Sequence, residues 1–380
     1  MTNNARVTRT PLLEPQTIPI KEDRLPFLDG LRGLAAVWVI IAHSLDLSSH
    51  DIKYLSRGDI AVDLFMILSG FLMAYHYYLR EDREPWGAPK TWFKFYVRRF
   101  FRIAPLYYFL LVAFFAWGPA MAQWRLQLAE IFPETYTDPF RFLDYSWQNI
   151  LAHFTFVYGL FKSYAVRTTM PDWSITLEMQ FYWAFPFLML LFRRYYFVVS
   201  TIGLYFVCHK INAFLYHDGY QKPTVLPMGL HFFLMGMLLA LFNRYRSDRL
   251  KAVIALGLAF WLAWLTQERF VLLIVVVMTA LLNPSTIGKP LAGVSKMLSS
   301  RLATWLADMS YPAYLLHMGV MMPLAYGCSR YQMFNSLPGI LRFLILFALT
   351  TTVTYLFSAF LHERIEKRGI IWGKRIVEGL

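Results

Sequence analysis

Residues 28–45 read LDGLRGLAAVWVIIAHSL, an apolar run holding a basic residue near its start, Arg32, and a histidine near its end, His43. They lie eleven positions apart. At about 100° per residue those steps come to roughly 20° past three full turns, so a helix sets both side chains on one face. The rise of about 1.5 Å per residue puts His43 about 16 Å further along the axis. If the helix crosses a bilayer, Arg32 sits near one surface and His43 within the hydrocarbon zone. An ionisable group there is costly and ordinarily faces a protein interior or a watery cavity. The plain structural alternative is a histidine that hydrogen-bonds a neighbouring helix.

Composition supports a membrane setting. The chain is 57% hydrophobic and 16% charged, against about 25% charged in a typical soluble domain. Apolar stretches at 28–47, 59–79, 101–118, 174–192, 195–215, 225–242, 250–265, 270–283, 305–326 and 339–361 predict about ten spans, each near the ~20 residues a bilayer requires. The seventh and eighth are short, and 149–161 reads as an interfacial or partly inserted helix. The fold class is all-α, a polytopic transmembrane helical bundle.

Arg and Lys cluster in alternate connections: Arg80 to Arg102, Arg193 and Arg194, Arg244 to Lys251, Lys289 to Arg301, and beyond Leu361. The positive-inside rule then places both termini in the cytoplasm, in a multi-pass protein of the cell inner (plasma) membrane. The net charge of +13 is explained by an anionic inner leaflet and requires no nucleic acid. Residues 1–25 are polar and punctuated by prolines, and read as a disordered cytoplasmic tail rather than a cleavable signal. Residues 26–366 form the membrane domain, and 367–380 a C-terminal cytoplasmic tail. Cys208 and Cys328 have no metal-ligand spacing, and no phosphate-binding loop or dinucleotide fingerprint is present.

Other polar residues stand out in apolar surroundings. In DIAVDLFMILSGFLM (59–73), Asp63 needs a cationic or hydrogen-bonding partner, and His43, one short loop back, is the expected one. A helix-start role for Asp63 is the alternative. In FYVRRFFRIAPLYY (95–108), Arg98, Arg99 and Arg102 form a cationic knot suited to phosphates, or to anchoring on lipid headgroups. In PDWSITLEMQFYWAFP (171–186), Ser174 and Glu178 share a face one turn inside the membrane, with Trp173 at the interface. In SYPAYLLHM (310–318), Tyr314 and His317 share a face, with Tyr311 a turn earlier.

These blocks, with the terminal HERIE (362–366), occur in the order found in acyltransferase family 3 of integral membrane proteins, which the chain resembles from about Pro26 to Glu366. The resemblance implies a ten- or eleven-helix bundle that moves an acyl group from acyl-CoA to a hydroxyl, mostly on sugars of exported glycans. The family's signature of a basic residue, ten positions and a histidine falls on Arg32 and His43. Its arginine motif falls on Arg98, Arg99 and Arg102, and its tryptophan–serine–glutamate block on Trp173, Ser174 and Glu178. A glycine common before the buried acid is Ala61 here. No esterase-like domain follows the last span, so direct transfer, or a separate glycan assembly or export partner, is expected. His43 is then the general base, steadied by Glu178 or Asp63. Arg32, Arg98, Arg99 and Arg102 hold acyl-CoA, and Ser69, Trp173, Ser174, Tyr311, Tyr314 and His317 are candidates for substrate binding or oxyanion donation, Ser69 and Tyr311 foremost as donors. Acyl-CoA, most simply acetyl-CoA, is a donor substrate; no permanently bound cofactor or metal is required. The alternative from the residues alone is a proton-coupled transporter or flippase for a glycolipid or small anion, with buried His, Asp and Glu as its relay.

Overall fold

A computed structural model describes residues 25–193, 195–283 and 288–379; the tail expected at 1–25 lies outside these apart from Leu25. Among the described residues every regular element is helical. The α-helices are α1 (Pro26–Leu47), α2 (Gly58–Tyr78), α3 (Pro89–Ile131), α4 (Trp147–Phe154), α5 (Trp173–Leu191), α6 (Tyr196–His217), α7 (Leu226–Arg244), α8 (Arg249–Leu265), α9 (Arg269–Leu282), α10 (Ala292–Leu298), α11 (Arg301–Asp308), α12 (Ser310–Ser329), α13 (Gln332–Asn335), α14 (Gly339–Leu361) and α15 (Lys367–Glu378).

Six described helices are long and apolar enough to cross a bilayer: α1, α2, α3, α6, α7 and the continuous rod Gly339–Glu378. The chain is a multi-pass membrane protein, and outward-facing apolar side chains such as Val199, Phe214, Val253 and Trp264 suit a lipid surround. The expected count of ten is not reached by this measure. α8 and α9 are short. α5 and α12 give up apolarity to Glu178 and Gln180 and to Ser310, Tyr314 and His317. The single span expected at 305–326 divides at Met309 into α11 and α12. The span expected at 101–118 is part of a 43-residue helix that keeps Pro105 and Pro119 inside it. At about 64 Å long it outruns a hydrocarbon core of about 30 Å. Residues 149–161 form the eight-residue α4 and a 3₁₀ turn, not a span. Residues 367–378, expected as a tail, form α15, which lies on α3 with Gly369 against the Phe101 carbonyl and the Pro105 ring.

α2 and α7 pack at the centre through reciprocal glycines. A Cβ on Gly70 would stand 2.1 Å from the Phe233 carbonyl oxygen, and one on Gly236 2.0 Å from that of Ile67. Within lipid, where apolar burial alone does not drive helices together, such small residues bring the two backbones into contact. α1 lies beside α2, α11 and α12, so its polar face is turned towards the site.

Candidate functional site

α1, α2, α3, α5 and α12 enclose a cleft with about 920 Å³ of empty space, counted out to its open mouth. Its polar lining is Arg32 from α1, Ser69 from α2, Arg99 and Arg102 from α3, Ser174, Glu178 and Tyr182 from α5, and Ser310, Tyr311 and Tyr314 from α12. Arg32 and Arg99 are incompletely satisfied. Arg32 lies 3.5 Å from Asp29 and donates to the Ala307 carbonyl at 3.2 Å. Arg99 lies over the rings of Tyr182 and Phe95, at 5.7 and 5.9 Å. Among the described residues neither Nε has a hydrogen-bond partner, although both are buried. Arg102 faces Glu366 at 3.6 Å. Three guanidinium groups converging on one cleft repel one another and favour an incoming anion, which each can bind through two N–H donors.

Arg98 does not join them. Its two terminal nitrogens hold the Glu84 carboxylate at 2.9 and 2.6 Å, and it lines a smaller adjoining pocket. Burial raises the Glu84 carboxyl pKa, but the hydrogen bonds and charge of Arg98 outweigh it and hold the group below its ordinary value. The knot expected from sequence therefore divides, with Arg99 and Arg102 in the cleft and Arg98 tied to the loop before α3.

Deeper in the cleft, Glu178 accepts hydrogen bonds from Ser69, at 3.3 Å, and from Tyr182. Tyr311 donates to the Ile103 carbonyl at 2.8 Å. Ser69 and Tyr311, expected as oxyanion donors, are thus committed to other acceptors. Ser174 and Tyr314 share a hydrogen bond of 2.8 Å. The Tyr314 backbone carbonyl lies 2.7 Å from His317 Nδ1. A donating Nδ1–H there leaves the Nε2 lone pair free, and Nε2 has no partner among the described residues.

His43 lies beyond this point. Its ring stacks on His317 at a centroid distance of 5.2 Å, and it is half-buried outside the arginine cleft. Neither expected acid meets it. Glu178 is held by Ser69 and Tyr182, and the charges acting on Asp63 are Asp59, Glu268 and Arg57. Trp173 stands at the far end, with Lys222 Nζ 5.9 Å over its ring. The site is therefore a file of side chains running from the arginines past Glu178, through Ser174 and Tyr314, to His317 and His43.

Sequence reasoning missed Tyr182 and Glu366. Glu366 is fully buried, accepts from His362 Nδ1 at 2.8 Å and faces Arg102. It ends a π-helical turn, His362–Glu366, that joins α14 to α15. Such turns concentrate at functional sites, and the charged HERIE block inside an apolar rod was the available signal.

This arrangement defines a polytopic helical membrane protein whose arginine-lined cleft leads to a stacked histidine pair. The chain belongs to the Acyltransferase domain family, which it matches over residues 25–359. It is 25% identical over 376 residues to the peptidoglycan O-acetyltransferase OatA of Listeria monocytogenes, covering 91% of this chain and 56% of that protein. It is 27% identical over 206 residues to the O-acetyltransferase OatA of Staphylococcus aureus, covering 50% of this chain and 30% of that protein. It is 31% identical over 174 residues to the putative membrane-bound transacylase BcsY of Komagataeibacter xylinus, covering 45% and 38%. The chain thus spans little more than half the length of the first of these and less of the others. No solved structure matches.

Proposed function

We propose that this protein is a membrane O-acyltransferase that moves an acyl group, acetyl in the simplest case, from acyl-CoA to a hydroxyl of a cell-surface or exported glycan. The observation that carries this reading is the file itself: Arg32, Arg99 and Arg102 at one end, with two buried Nε atoms that have no hydrogen-bond partner among the described residues, and the His43–His317 pair at the other. A transporter relay does not require a phosphate clamp at one mouth. Relatives named as O-acetyltransferases support the same chemistry.

The donor's phosphates would lie against Arg32, Arg99 and Arg102, entering from the cytoplasm if the positive-inside reading holds. Its thioester arm would run past Glu178 towards Ser174 and Tyr314. The acceptor hydroxyl would lose its proton to an imidazole, His43 or the free Nε2 of His317, and attack the thioester carbonyl. The C–O bond forms, the C–S bond breaks, and the thiol of CoA leaves after taking up a proton. No group need stay permanently bound between turnovers. The cell inner membrane is the setting this reading calls for, where glycan assembly or export partners would supply the acceptor.

The test is acyl-CoA turnover by the purified full-length protein in nanodiscs, with no second compartment present. Mass spectrometry of surface glycan from cells with and without the protein follows the acyl group. Turnover together with a lost glycan acyl group supports the reading. Vesicle transport without turnover would replace it by the transporter.

A further inference from the structure

The smaller pocket that adjoins the arginine cleft has no part in the chemistry above. It holds about 360 Å³ of empty space, counted out to its mouth, within the range of about 300 to 1,000 Å³ usual for small-molecule sites. Met73 and Tyr77 of α2, Trp86 of the α2–α3 loop, Thr91 and Phe95 of α3 and Phe185 of α5 form much of its wall. The rings fix one another. Trp86 stacks on Tyr77 at 5.0 Å and meets Phe95 and Phe185 edge-on at 5.5 and 6.0 Å. Trp86 is 4% exposed, yet its Nε1 has no hydrogen-bond partner among the described residues. A buried indole N–H ordinarily finds an acceptor. The neighbouring Trp92 does so, donating to the Trp86 carbonyl at 2.8 Å. Glu84 also lines the pocket, its carboxylate held by Arg98. Each carboxylate oxygen can accept a second hydrogen bond.

Flat apolar walls with one unpaired donor and one carboxylate suit a heteroaromatic ring that carries an acceptor nitrogen and an amino group. An apolar chain would fill the same space but leave Trp86 Nε1 unmet. Position decides what the ring is joined to. Arg99 and Met73 line both this pocket and the arginine cleft. Arg99 stands over one ring of each, Phe95 here and Tyr182 there. A ring seated in the pocket is therefore one guanidinium away from phosphates in the cleft. We propose that this pocket seats the adenine of the acyl-CoA donor, with Trp86 Nε1 donating to a ring nitrogen and Glu84 accepting from the amino group, while the attached phosphates lie on Arg99. The proposal rests on the acyl-CoA reading given above.

The test is calorimetric binding of ADP and of ribose 5-diphosphate, which lacks the base, to the full-length protein in phosphatidylcholine nanodiscs. The ratio of the two affinities, read within each protein, cancels the phosphate contribution and any loss of folded protein. In the wild-type protein ADP should bind about tenfold or more tighter. Trp86→Phe keeps a ring but removes the N–H, and should lower that ratio about three- to tenfold. Thr91→Met fills the pocket from α3 and should bring the ratio close to one, so the assignment does not hang on a single variant. Equal affinities in the wild-type protein overturn the proposal, as does a ratio that survives in both variants. A ratio sensitive to Trp86 in a protein that does not turn over acyl-CoA would instead refute the acyltransferase reading and leave the purine site standing.

Discussion

Replacing Arg102 by Gln should damage the protein twice, and a second substitution should repair only one of the two defects. Glu366 is fully buried and Arg102 lies 3.6 Å from it, with 36% of the Arg102 side chain exposed. At an effective dielectric constant near 20, two unit charges at that distance attract by about 5 kcal/mol. Solvent at the cleft mouth screens the pair, so about 2 to 3 kcal/mol is the expected cost of leaving the Glu366 carboxylate unpaired. His362 still meets that carboxylate, which keeps the loss from being larger. Separately, a charge-assisted contact to a donor phosphate is worth about 1.5 to 3 kcal/mol, or ten- to a hundredfold in affinity. Arg102→Gln should therefore lower the thermal midpoint of the detergent-purified protein by several degrees and weaken acyl-CoA binding in calorimetry. The Arg102→Gln, Glu366→Gln double variant removes the orphaned charge and should recover most of the midpoint with none of the affinity. Such a cycle separates the two roles. Wild-type affinity in the double variant would refute the reasoning, because Arg102 would then serve Glu366 alone. An unchanged midpoint in the single variant would refute the pairing.

Changing His43 to Ala should lower transfer by about 10² to 10⁴ while membrane insertion is unaffected; normal glycan acylation by a well-expressed variant would remove His43 from the mechanism. Glu178→Gln keeps an acceptor for Ser69 and Tyr182, so it should fold normally and turn over slowly. Glu178→Leu strands both hydroxyls, at about 1 to 3 kcal/mol each where buried, and should lose stability as well; an active, stable Leu variant assigns Glu178 to the scaffold. Gly70→Ala drives a methyl group into the Phe233 carbonyl and should reduce the yield of monodisperse protein on size exclusion, and an unaltered elution profile would mean that α2 and α7 can separate at little cost.

The helical class and the polar residues of the site were legible because both follow from local pattern. Hydropathy and the eleven-residue spacing need only the geometry of one helix. What each polar residue touches was not legible, because partners are set by the rotation of one helix against another. Arg98, Arg99 and Arg102 look alike in sequence, yet Glu84 in a preceding loop takes Arg98 and Glu366 from the chain end faces Arg102. Asp63 follows His43 by one loop, and proximity along the chain suggested a pair; the ring that meets His43 is instead that of His317. The break at Met309 was only partly legible: Pro312 suits a helix start beside it, but the apolar residues on either side read as one span while the helix divides there. The partner His43 does have, His317, was expected in the site with Tyr314, but nothing in the sequence tied it to His43.

The spacing of Arg32 and His43 takes on a mechanical meaning in this fold. One uninterrupted helix, α1, carries a cleft arginine at one end and the stacked imidazole at the other. Their separation is therefore fixed by the helix rise, at about 16 Å, and does not depend on how α2, α3 or α12 shift against one another. A donor anchored by its phosphates and reaching inward needs a fixed distance to the base, since a misplacement of about 1 Å can cost a hundredfold in rate. Placing both groups on separate helices would make that distance depend on packing that Gly70 and Gly236 hold only by close contact. Between the two ends Ser174 and Tyr314 share a hydrogen bond, and a donor arm following the proposed path would pass it by rotation of these side chains about their χ angles, without movement of a helix. On the proposed mechanism, a rigid rod with a rotatable hydroxyl pair beside it would be enough to hold donor and base in register.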